Sequence, residues 1–151
     1  MAQSLSRVYV HIVFSTHGRK PFLSDAPARE ELHRYLGGIC INQKCPPVIV
    51  GGVADHVHIL CEMGRTVTQS DLVKELKRSS SLWIKQRFPE LRDFAWQGGF
   101  GVFSIGQSQV ADVRRYIESQ EEHHRKVSFQ DEFRTILKRY EIEFDERYLW
   151  E

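Results

Sequence analysis

Residues 46–63 read PPVIVGGVADHVHILCEM. Pro46 and Pro47 restart the chain in an extended conformation, and Val48–Val53 is rich in β-branched residues. Ala54 and Asp55 offer a tight turn, and His56–Met63 continues as a second extended run, so the segment predicts a β-hairpin. Upstream, Arg7–Ser15 alternates, with Val8, Val10, Ile12 and Phe14 on one face and Tyr9, His11, Val13 and Ser15 on the other, as a strand does. Between strand and hairpin, Ser24 can cap a helix that carries Leu32, Tyr35 and Leu36 and weakens at Gly37 and Gly38. Downstream, Thr66–Phe88 keeps helical spacing through Leu72, Leu76, Leu82 and Trp83 until Pro89, and Phe94–Ile105 is an aromatic, glycine-rich strand. The order strand, helix, strand, strand, helix, strand predicts an α+β fold. Its form is a ferredoxin-like split β-α-β antiparallel sheet with two helices on one face.

A sheet covered on one side leaves its other face open. Ser108–Lys126 predicts a long polar helix with a good cap, and Ser128 begins another with SFQDEF. These additional C-terminal helices must cover the open face in the same molecule or reach a second copy. The expected organisation is therefore one unit over residues 1–151, with a sheet core over 1–106 and C-terminal helices over 108–142. The acidic, aromatic stretch from Glu143 onward has no assigned element.

The 151 residues carry 21 Lys/Arg against 20 Asp/Glu, a net charge of +1 that gives no compositional warrant for a nucleic-acid partner. The charges are segregated, however. Arg65–Arg92 holds seven Lys/Arg and three Asp/Glu, a local +4, and Ser128–Glu151 holds four and seven, a local −3. Cys40, Cys45 and Cys61 form no CxxC pair, which favours reduced thiols over a zinc site. The first twenty residues lack the basic start and long apolar run of a signal or anchor, so the expected location is cytoplasmic.

Two motifs carry chemistry. On a strand, residues two apart point the same way, so His56 and His58 present two imidazoles on one face, as two ligands of one metal ion would require. The plainer reading is two histidines on a solvated sheet face. In the helix RRYIESQ, Tyr116 and Gln120 are four apart and share a face, with His124 one turn further on. The plainer reading there is a surface aromatic among polar pairs. Together the motifs supply what a phosphodiester transesterification needs: a nucleophile whose phenol requires activation, and an ion with open positions for phosphate oxygens.

These residues carry a resemblance. The opening VYVHIVFSTHGRKPF, the segment VGGVADHVHILCEM and the run VRRYIESQEEHHRK with SFQDEF are similar to the single-tyrosine HUH transposases of small bacterial insertion sequences. That family comprises the TnpA type and the REP-associated tyrosine transposases. The resemblance implies a DNA transposase that cleaves and rejoins single-stranded DNA. In it Tyr116 is the nucleophile that forms a 5′-phosphotyrosine intermediate. It implies that His56 and His58 bind a divalent metal, Mg2+ or Mn2+, completed by Gln120; His124, on the Tyr116 and Gln120 line where this chain departs from the family, is the second choice, able to replace or supplement Gln120. It also implies a homodimer, a tyrosine able to act in trans on the partner's metal site, and recognition of hairpins near the element ends.

The basic residues Lys74, Lys77, Arg78 and Lys85 of the Thr66–Phe88 helix are candidate DNA contacts, against the simpler reading of a solvated face. Two other readings stay open on sequence alone. One is a domesticated protein of the same fold that binds hairpin DNA without cutting it. The other is a metal-dependent hydrolase that uses water in place of Tyr116.

Overall fold

The computed structural model describes residues 2–151. Four strands, β1 (Tyr9–Ser15), β2 (Pro47–Val53), β3 (His56–Glu62) and β4 (Gly101–Ile105), form one antiparallel sheet in the order β2-β3-β1-β4. Helices α1 (Ala26–Asn42) and α2 (Gln69–Arg87) connect β1 to β2 and β3 to β4, which is the expected split β-α-β order. The first face of the sheet, with Val10, Ile12, Phe14, Val57, Ile59 and Cys61, closes on Leu32 and Leu36 of α1 and Leu72 and Leu76 of α2. Each such aliphatic side chain, taken fully out of water, contributes about 1.5–3 kcal/mol. Cys40, Cys45 and Cys61 are free thiols buried in this apolar layer.

The second face is buried as well. Four further helices, α3 (Val110–Glu118), α4 (Gln120–His123), α5 (Phe129–Arg139) and α6 (Glu146–Leu149), follow β4, and α3 and α5 lie on the open side of the sheet. Ile117 of α3 packs with Leu60 and Ile105. Phe129, Phe133, Ile136 and Leu137 of α5 pack with Val13 and Phe103. Of the two destinations open to the C-terminal helices, this chain uses cover of its own sheet. His11, Val13 and Ser15, the face of β1 opposite its apolar one, are accordingly buried.

Several boundaries differ from expectation for local reasons. Asp25, not Ser24, caps α1 by accepting from the Ala28 amide, and Ser24 Oγ donates instead to Pro21 O. The helix runs through Gly37 and Gly38 because both flanking turns bury Leu36, Ile39 and Cys40. The last strand is shorter than Phe94–Ile105: only Gly101–Ile105 is laddered, with Trp96 forming an isolated bridge to Thr16. The predicted Ser108–Lys126 helix is broken at Ser119, whose ψ of 17° ends α3 before the short α4 begins, and no side chain caps its start. The stretch after Glu143 carries α6, which brings Trp150 against Phe129 and Phe133.

Candidate active site

Register decides what the second face presents. β1 pairs with β3 so that Val13 is opposite His58 and Ser15 opposite His56, with His11 opposite Leu60. His11, His56 and His58 therefore share one sheet face, beneath α3, α4 and α5. His56 and His58 are fully buried, which excludes the solvated-face reading. α3 can lie close because β2 has Gly51 beneath it, where a Cβ would come within 2.7 Å of Ile117 Cγ2. The turn at Ser119 then drops Gln120 inward, burying it at 1% exposure, and α4 carries His123 and leads to His124.

The centre of the cluster is a residue the sequence reading passed over. Glu132, in the first turns of α5, is only 3% exposed and meets side chains from β3, α3, α4 and the residue after α4. Its Oε1 lies 3.3 Å from His56 Nε2, 3.1 Å from His58 Nε2 and 3.2 Å from His124 Nε2. Its Oε2 accepts from the Tyr116 hydroxyl and, at 3.1 Å, from Gln120 Nε2. Burial alone would raise this carboxyl, but the surrounding imidazoles of His124, His56 and His58 hold it far below the usual carboxylate range. The segment SFQDEF was visible, yet acidic residues in the first turn of a Ser-capped helix ordinarily complement its dipole at the surface. Nothing local marked Glu132 for burial.

Each strand histidine has its outer nitrogen held. His56 Nδ1 donates to Asp55 Oδ1 at 2.7 Å and Nε2 donates to Gln120 Oε1 at 3.1 Å. Burial opposes a charge on this ring, but the bonds to Asp55 and Glu132 outweigh it and push its pKa up to about 9. His58 Nδ1 shares a hydrogen with His11 Nε2 at 2.8 Å, and the two rings stack. Burial first, then the neighbouring histidine, lowers His11 to about 3; burial likewise lowers His58 to about 4, so this pair is neutral. Tyr116 stands edge-on to His58, its ring centroid 5.7 Å away. Burial and the Glu132 carboxylate both push its phenol well above the ordinary value.

The donor set fits a divalent ion. Ligand atoms of His56, His58, His124 and Glu132 lie within 4.8 Å of one another. His124 Nε2 is buried 3.2 Å from Glu132 Oε1 but lacks hydrogen-bond geometry toward it, a ring nitrogen with no hydrogen-bond partner among the described residues. Three imidazoles and one carboxylate suit a transition ion better than magnesium, which prefers oxygen. Gln120 and His124, the alternatives expected beside the histidine pair, are both brought into the cluster.

The basic helix is placed elsewhere. α2 lies on the opposite face of the sheet from Tyr116. Lys77 Nζ is engaged with Gln97 O and Gly99 O, and Arg78 is paired with Glu75, whereas Lys74 is exposed and Lys85 half-buried. Trp83 stacks on Tyr35 and Trp96 packs edge-on to Phe14 and Phe94, so both serve the core.

Comparison with known proteins agrees with this architecture. The family described as "Transposase IS200 like" matches residues 4–120, which takes in the histidine pair, Tyr116 and Gln120 and stops short of His124 and Glu132. The ISDra2 transposase TnpA of Deinococcus radiodurans is 30% identical over 71 residues, 44% of this chain and 51% of that protein. The chain thus spans about half the length of this curated relative. Among solved structures, a Deinococcus radiodurans protein provisionally named a transposase superposes with a TM-score of 0.64 at 24% identity, covering 80% of this chain and 95% of its own. A REP-associated tyrosine transposase bound to a REP hairpin gives 0.51 at 13% identity, with coverages of 80% and 70%. These two likenesses speak for the fold, and the matched residues 4–120 settle the family: this chain belongs to the IS200-like transposases.

Proposed function

We propose that the chain cuts and rejoins single-stranded DNA by transesterification through Tyr116. The observation that carries this reading is the meeting of the Tyr116 hydroxyl with Glu132, the same carboxylate on which His56, His58 and His124 converge. In the reaction, the Tyr116 oxygen forms a bond to phosphorus as the bond to the 3′ oxygen breaks, giving a 5′-phosphotyrosine and a free 3′-hydroxyl. Glu132 Oε2 accepts the phenolic hydrogen bond and is the group that would take up the proton, which then passes to the leaving 3′ oxygen to make its hydroxyl. Rejoining is the reverse attack by a 3′-hydroxyl. His56, His58, His124 and Glu132 would hold the metal, with Gln120 Oε1 alongside. Such an ion supplies the positive charge that offsets the scissile phosphate and the carboxylate's opposition to a phenolate. Asp55 and His11 fix the ring orientations of His56 and His58.

The test is incubation with Mn2+ and single-stranded oligonucleotides taken from the DNA flanking the coding sequence, followed by denaturing electrophoresis. The expected result is a covalent protein–DNA adduct that Tyr116→Phe abolishes. No adduct with the unaltered chain, or one that survives Tyr116→Phe, overturns the reading; turnover indifferent to Tyr116→Phe would instead establish a water-using hydrolase. Hairpin recognition enters from likeness to the hairpin-bound REP-associated transposase, and is checked by competition between a hairpin and an unstructured strand of equal length. Lys74 and Lys85 are the α2 candidates that would make a backbone contact, and only with a strand that passes around the sheet edge. Within one chain the Tyr116 hydroxyl reaches the carboxylate on which the histidines converge, which supports action in cis, whether or not two copies associate as a homodimer.

A further inference from the structure

The phenol of Tyr116 is half-buried, and it opens onto a cavity of about 350 Å3 beside α3 and α5. That volume is at the lower end of small-molecule sites and matches one unpaired nucleotide better than a duplex. Val113, Ile136, Ile105 and Tyr140 make most of its wall apolar or aromatic, and Tyr116 and Glu132 also line it. His56, His58 and His124 do not line it; His11, bonded to His58, and His123, 3.3 Å from Glu132, do, so the cavity reaches the edge of the cluster at Glu132, the phenol and these two rings.

The cavity also carries one available cation. Along the C-terminal helices, Arg114, Arg115, Arg125, Arg134 and Arg147 are each tied to a neighbouring carboxylate. Arg139, the last residue of α5, lines the cavity and forms no ion pair among the described residues. Its charge is felt at the Tyr116 phenol. Asp112, the other charged group in the wall besides Glu132, is occupied by Arg115.

Resting on the transesterification reading, we infer that this cavity is a nucleotide subsite. It takes the unpaired base next to the phosphate that Tyr116 attacks, with the Arg139 guanidinium on a phosphate oxygen of the same strand. An apolar wall with an aromatic edge favours a base withdrawn from water, and a guanidinium at the rim matches the phosphate's planar pair of oxygens. The subsite would give the enzyme a base preference next to its cleavage point.

The experiment measures fluorescence anisotropy of labelled octamers of dA, dC, dG and dT in Mn2+ buffer across a salt series, with denaturing gels of the same samples scoring adducts. The unaltered chain is expected to rank the four octamers. Val113→Trp, which fills the cavity, is expected to weaken the preferred octamer by about tenfold and flatten the ranking. Arg139→Ala is expected to lower the salt slope by about 0.7, the share of one single-strand phosphate contact, and Arg139→Lys to keep it. Equal binding of all four octamers, or a Val113→Trp variant of unaltered thermal stability that keeps the full ranking, overturns the proposal. An unchanged salt slope in Arg139→Ala, an exposed site whose replacement leaves the core intact, overturns it independently. If the octamers bind through Arg139 and Val113 as described yet no single strand gives an adduct, the subsite stands and the transesterification reading falls.

Discussion

Glu132 divides its two oxygens, one toward three imidazoles and one toward Tyr116 and Gln120. Removing it as Glu132→Ala should weaken Mn2+ binding by about tenfold or more and uncouple Tyr116 from the histidines, read by competition with a chelating dye. His11 acts one step further out. A metal on His58 Nε2 requires the proton on Nδ1, and the atom placed to accept from that N–H is His11 Nε2, 2.8 Å away. His11→Leu should therefore cost about 10–100-fold in metal affinity, and His11→Gln, whose amide oxygen can accept the same hydrogen, should restore part of it. Equal affinities for the two variants would show that His11 is only packing.

At the scale of elements, α3 sits where it does because β2 carries Gly51. A side chain there would overlap Ile117, so Gly51→Val should push α3 off the sheet at a cost of about 1–3 kcal/mol. Since α3 carries Tyr116, adduct yield should fall further than the drop in thermal stability explains. On the other side of the sheet, α1 holds His33, whose pKa burial, with Arg29 nearby, lowers from 6.5 to about 4. A group favoured neutral in the fold stabilises above its unfolded pKa. That contribution should be full above pH 6.5 and lost as the pH falls through 4. His33→Gln should accordingly show a smaller drop in Tm between pH 7 and pH 4 than the unaltered chain. The elements themselves were legible because strand alternation and helical spacing are local. The break at Ser119 was not, since it answers to the burial of Gln120 beneath it rather than to any breaker residue.

The whole molecule is a sheet between two helical layers, and only the C-terminal layer touches the cluster. Tyr116, Gln120, His124 and Glu132 all come from that layer and meet the histidines of the same chain. Mixing Tyr116→Phe chains with His58→Ala chains should therefore restore no adduct; recovery would mean that the tyrosine crosses between subunits. The near-neutral total conceals a basic α2 and an acidic C-terminal segment. DNA binding should then show a modest salt slope, from few phosphate contacts, which a titration between about 50 and 200 mM salt checks.

The sequence by itself determined the order of elements along the chain, the pairing of two imidazoles on one face, and the Tyr116 candidate with its neighbour four residues on. All of these follow from periods of two and of 3.6 within single elements. Only the tertiary structure decided that the second face of the sheet is dry, that His11 backs His58, and that Glu132 lies at the centre. Those are contacts between residues 47 to 76 positions apart, made by pairing β1 with β3 and by folding α5 over the face that the sheet leaves open. No local period encodes them, because what buries Glu132 is the layer it belongs to rather than its neighbours in the chain.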